Sequence, residues 1–149
     1  MSTHQDIFAI LLACAAILIA GCSRNSGPER IVVSGDVTYN GKPVADGMVY
    51  FVPPTTSSLP ASGAAILDGK YNADGNGGVP VGTHKVRIEA YRYLAPAAAP
   101  GAAAPPTVSK NAPRQQYLPA KYNVDTTLEI SVESGSRRIT KDFQLTDRG

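Results

Sequence analysis

The chain has 149 residues, 43% of them hydrophobic and 17% charged, with a formal net charge of +2. That length makes one domain able to bury its own core, while the small, dispersed charge excludes a nucleic-acid binder, which needs a basic stripe. Tryptophan is absent and tyrosine outnumbers phenylalanine seven to three, a balance that suits a β-rich extracellular domain.

Residues 7–20 carry no charge. The run is too short for the roughly 20 residues of a membrane-spanning helix and suits the apolar region of a secretory signal. It closes on Leu18-Ile19-Ala20-Gly21-Cys22. An apolar residue and two small ones ahead of a cysteine resemble the lipobox of bacterial lipoproteins. The resemblance implies that residues 1–21 are a signal peptide recognised through Leu18, Ile19, Ala20 and Gly21. It also implies that the Cys22 thiol becomes a diacylglyceryl thioether and that the chain is cut just before it. Residues 1–6 depart from the pattern in having no Lys or Arg, which usually open such a signal. The alternative, a buried helix of a soluble domain, fits poorly with the polar stretch that follows. In the lipoprotein class an Asp after the cysteine retains the protein at the inner membrane; Ser23 stands there instead, which favours the outer membrane. Cys14 would leave with the signal and Cys22 would carry lipid, so the mature chain is expected to form no internal disulfide. The expected partner is the membrane through its lipid anchor, and the expected location is the cell envelope.

Residues 22–30 read as the lipidated cysteine and a polar tether whose Gly27-Pro28 opposes regular structure. From residue 31 the texture turns to short β runs. Residues 31–39 alternate with Val33, Val37 and Tyr39 on one face. Asn40-Gly41 is a strong hairpin signal, because both central positions accept φ > 0. Residues 47–52 place Val49 and Phe51 inward, and Pro53-Pro54 stops them. Residues 64–67 and 70–72 flank a tight turn at Asp68-Gly69, and residues 75–78 form a glycine-rich bend. Residues 83–93 are the clearest strand, with Val86, Ile88 and Ala90 inward and Lys85, Arg87 and Glu89 outward. Residues 126–133 alternate through Leu128, Ile130 and Val132. Residues 138–145 close the chain with Ile139, Phe143 and Leu145. About seven strands, no amphipathic helix and frequent turn signals predict an all-β sandwich over residues 31–149.

Residues 94–116 interrupt this texture with alanines and closely spaced prolines. Proline removes donors and favours polyproline-like extension. The stretch reads as a low-complexity loop between two strands, with a partner-binding arm as the sharper alternative.

Several segments resemble one family. Gly35, Val37, Tyr39, Gly41, Lys42, Pro43, Val44, Gly47, Val49 and Phe51 are similar to the opening hairpin of transthyretin-like (prealbumin-like), carboxypeptidase-regulatory-like sandwich domains. Asp68-Gly69-Lys70-Tyr71 and the stretch from Gly78 through Val79, Pro80, Gly82 and Val86 match a later element of that pattern, with His84 where Tyr is more usual. Tyr117, Leu118, Pro119, Lys121, Tyr122 and Asn123 resemble a segment of small lipoproteins from planctomycete-type bacteria. The resemblance implies a single transthyretin-like sandwich serving as an accessory module, and it carries almost no implication of activity.

Groups able to do catalysis are scarce. Beyond residue 21 only His84 remains, so a two-histidine metal site, and with it an intradiol-dioxygenase-type iron site, is excluded. No G-x-S-x-G elbow appears, and the partner histidines of a 5-hydroxyisourate hydrolase are missing. Asp74 and Asn76 start like a calcium loop, yet Gly78 occupies the third ligand position and Lys85 stands where the closing Glu belongs. No metal and no cofactor are therefore expected, nor an enzyme. The expected role is that of a lipid-anchored, non-catalytic envelope protein with a structural or protein-interaction function. The alternative is a surface module that binds a glycan or peptide through Tyr91, Tyr93, Tyr117 and Tyr122, which flank the long loop.

Overall fold

The computed structural model describes residues 27–94 and 112–147. They are all-β and sandwich-like, with eleven strands where the alternation predicts about seven, because several short pairings escape a reading by period two. The strands are β1 (Arg30–Tyr39), β2 (Lys42–Pro43), β3 (Asp46–Val52), β4 (Ser62–Leu67), β5 (Lys70–Ala73), β6 (Val79–Pro80), β7 (Gly82–Tyr93), β8 (Arg114–Gln116), β9 (Glu129–Val132), β10 (Arg138–Thr140) and β11 (Phe143–Leu145). Two single 3-10 turns, Gly75–Gly77 and Ala120–Tyr122, are the only helical pieces among the described residues.

One continuous ladder runs β10-β1-β5-β4-β3-β7-β8 and curls so that one face wraps the core. Neighbours from β1 through β8 along this path are antiparallel, whereas β10 and β11 lie parallel to β1. Tight turns set the hairpins. Asn40 (φ 51°) and Gly41 (φ 77°) both sit in the left-handed region, as do Asp68 and Gly69, the geometry whose twist matches the flanking strands.

Alternation decides which side of each strand is buried. Val33 and Val37 of β1, Val49 and Phe51 of β3, Ile66 of β4, and Val86, Ile88 and Ala90 of β7 are fully buried. Tyr71 links the layers, its ring centroid 6.2 Å from Phe51 and 5.9 Å from Phe143. Its hydroxyl donates to the Lys141 carbonyl at 2.6 Å, which satisfies the polar end of a buried ring.

Three local expectations are corrected. Residues 138–145 form two strands, not one. The chain breaks stride at Lys141-Asp142 where it passes Gly35: a Cβ there would lie 2.1 Å from the Lys141 carbonyl oxygen. Across the break Lys141 N–H donates to the Ser34 carbonyl and the Asp142 carboxylate accepts from Asp36 N–H, both at 2.8 Å. The Ala/Pro-rich loop is shorter than 94–116, because Arg114–Gln116 pair with Tyr91–Tyr93 and Leu94 N–H donates to the Pro113 carbonyl. Finally, residues 126–133 hold only the four-residue β9, and Leu128 is half-buried, because Thr126 turns its hydroxyl to the Val86 carbonyl at 2.7 Å instead of extending the strand.

Candidate functional site

Leu18, Ile19, Ala20, Gly21 and Cys22 lie outside the described residues. The four tyrosines that flank the long loop fall on two different surfaces. Tyr117 and Tyr122 pack against the core edge beside buried Leu118. Tyr117 sits 5.8 Å from the Tyr39 ring, and the Tyr122 hydroxyl both donates to the Thr146 carbonyl (3.0 Å) and accepts from its N–H (2.9 Å). Tyr39 and Asn40 hold the Asp147 carboxylate from the other side. These groups fasten the end of β11 to the segment between β8 and β9. Tyr91 and Tyr93 instead occupy the outer face of β7, two residues apart and so on the same side of the strand.

That outer face is a ladder of paired groups spanning β3, β7 and β8. The Arg87 guanidinium lies 4.4 Å from the Tyr50 ring centre, and Arg114 lies 5.2 Å from that of Tyr91, both within cation–π range. Arg87 approaches Glu89 at 3.5 Å, and Arg114 approaches Asp46 at the same distance. The Tyr91 hydroxyl donates to Glu89, and this bond, more than burial, pushes its pKa up to about 12. Single-strand alternation does not single out Tyr50, Arg114 or Asp46. Their signal was present all the same, since parity along β3 puts Tyr50 opposite inward Val49 and Phe51. Cross-strand register, however, is invisible to a single-strand pattern. At the lower end of the face, Val52, Pro53, Pro54 and Thr55 meet Lys85 and Glu129 around a cavity of about 400 Å³.

His84 points the other way, into the core, fully buried and opposite Ile130. Its Nδ1 lies 3.1 Å from the Gly82 carbonyl and its Nε2 has no hydrogen-bond partner. Burial pushes its pKa below the usual 6.5, with the Gly82 carbonyl acting in the opposite sense. A second, more open groove of about 520 Å³ crosses the outer side of β10, β1 and β5. There Arg138 donates to Asn72 at 2.8 Å and Lys70 pairs with Asp36 at 2.8 Å. Among the described residues no three His, Cys, Asp or Glu side chains converge as metal ligands would, and no helix is long and apolar enough to cross a membrane.

No family model and no curated protein matches the chain. Among solved structures, a 9R-lipoxygenase from Cyanothece PCC8801 is similar over 83% of this chain and 18% of that one, at 8% identity and a TM-score of 0.33. A likeness that slight carries no argument about fold or activity.

Proposed function

We propose that the protein is a lipid-anchored, non-catalytic component of a bacterial cell envelope, built on one transthyretin-like sandwich and acting by interaction. The observation that carries this is the closeness of domain to anchor: β1 begins at Arg30, a few polar residues after the Leu18–Cys22 motif. The strands beyond that short tether are then delivered to the membrane surface together. The sandwich type rests on the segments that carry the family resemblance, whose Asn40-Gly41 hairpin joins β1 to β2. Two acyl chains or more hold a protein stably, each buried CH₂ contributing roughly 0.8 kcal/mol. Ser23 after the cysteine favours the outer membrane.

Mass spectrometry of the membrane fraction tests the reading. Wild-type protein should begin at a diacylglyceryl-modified Cys22, and Cys22→Ser should remain unmodified and uncut. Wild-type protein recovered with residues 1–21 intact, or with a free Cys22 thiol, would refute it.

A second reading, a ligand-binding surface module, is favoured by one observation. Tyr91 and Tyr93 share the outer face of β7 with Arg87 and Glu89, and on the adjoining strands Tyr50 stands across from Arg87 and Arg114 across from Tyr93, so aromatic planes and charged groups are interleaved where the core has no use for them.

A further inference from the structure

We propose that the outer face of β3, β7 and β8 binds a neutral, linear glycan chain, seated at one end in the cavity beside Pro53-Pro54. The inference rests on the surface-module reading above.

Three observations select this ligand class. The first is charge. Along the face Lys85, Arg87 and Arg114 are balanced by Glu129, Glu89 and Asp46, with Lys85 directly across from Glu129 and the other two bases each 3.5 Å from an acid. A surface neutral over its whole length gives no attraction to a polyanion or an anionic membrane. It does alternate donors with acceptors, and sugar hydroxyls, which both donate and accept, are satisfied by that alternation.

The second observation is shape. From Lys85 to Tyr93 the outward positions of β7 extend about 27 Å, at roughly 3.4 Å per residue, which suits a chain better than a compact ligand. The cavity of about 400 Å³ at the Lys85 end sets an apolar wall (Val52, Pro53, Pro54) against polar groups (Thr55, Lys85, Glu129). A pyranose has the same two aspects, a face of C–H groups and a rim of hydroxyls. The third is the aromatic set. Tyr93 is 41% exposed and offers an open ring, while the guanidinium groups stacked on Tyr50 and Tyr91 hold planar arrays of N–H donors at fixed height.

The same features disfavour an extended peptide. Peptides that add to a sheet use the backbone groups of a free edge, and β7 is paired on both sides, with β3 on one and with β8 and β9 on the other. A face offers side chains alone.

The test uses the full lipidated chain in micelles of a detergent without a sugar headgroup. It is titrated with cellohexaose, maltohexaose and chitohexaose and, in parallel, with a proline-rich peptide. The chain has seven tyrosines and no tryptophan; Tyr50, Tyr91 and Tyr93 lie on the face, so a ligand-dependent change in intrinsic tyrosine fluorescence that Tyr91→Ala diminishes reports binding there. Binding of at least one oligosaccharide is expected. Tyr91→Ala and Lys85→Ala, the latter at an exposed position, should each weaken it roughly tenfold, with circular dichroism unchanged, while Arg138→Ala in the other groove should leave it intact. Glycan binding indifferent to both face variants overturns the site. Peptide binding lost in Tyr91→Ala, without glycan binding, overturns the ligand class and leaves the surface-module reading standing. Binding of neither probe overturns both. None of these outcomes bears on the lipid anchor.

Discussion

Single residues in this fold differ sharply in what they hold. Phe143 is 4% exposed and stacks at a tilt on Tyr71, so Phe143→Ala removes a ring from the contact between β11 and the core. It should cost about 3–5 kcal/mol in a denaturant titration, whereas Glu129→Ala, at an exposed position of β9, should cost under about 0.5 kcal/mol. His84 makes stability depend on pH. The unfolded chain binds a proton near 6.5, but folded His84 resists it because the charge would enter the core. Its contribution is therefore complete above that pH and is lost as pH falls below it towards the lowered folded value. Melting temperatures measured between about pH 7.5 and about pH 5 should fall for the wild type, and fall less for His84→Phe, whose ring cannot titrate. Parallel pH profiles for the two proteins would show that His84 does not titrate against the fold. The inward placement of Val86, Ile88, Ile130 and Phe143 was legible from period-two alternation alone. The burial of His84 was legible only in part: parity put it on the inward side of β7, but nothing in a one-dimensional pattern says that its Nε2 finds no partner.

At the scale of elements, the crossing of β1 by the C-terminal segment depends on one absent side chain. With the Lys141 carbonyl where a Cβ of residue 35 would sit, Gly35→Ala must push β10 and β11 apart from β1. The expected loss is about 1–3 kcal/mol. Gly75→Ala, with nothing within 4 Å, should change stability by less than about 0.5 kcal/mol. Thermal unfolding of the two variants side by side decides it. This break was hidden in the sequence because Ile139, Phe143 and Leu145 keep odd numbering straight through Lys141-Asp142. β8 was hidden for another reason: Arg114–Gln116 has no alternation of its own and becomes a strand only by pairing with β7. Since Leu94 and Pro113 are joined at 2.8 Å, the ladder closes without the residues between. Replacing residues 96–111 by a short Gly/Ser linker should leave the melting temperature nearly unchanged, because the entropy of closing a connection changes slowly with its length, by only about 0.6 kcal/mol per twofold change. Deleting residues 117–122 should lower it clearly, because Leu118 is in the core and Tyr122 grips Thr146.

For the whole molecule, the all-β class was readable from turn spacing and alternation, while the candidate face was not, because it depends on β3 and β7 lying side by side in the sheet although β4, β5 and β6 separate them in the chain. That strand order also fixes a direction. Going from β1 to β7 crosses four antiparallel pairings, so β1 and β7 point the same way. Arg30 therefore stands at one pole, and Leu94 with Pro113 at the other, separated by a strand length of about 40 Å for the twelve residues of β7. The arrangement has a mechanical meaning. A pull applied between the N-terminal stem and the Leu94–Pro113 stem acts along the strands, so the hydrogen bonds of each intervening ladder are loaded together in shear instead of being peeled open one after another. Tension between whatever holds the two poles would thus be borne by the sheet as a unit.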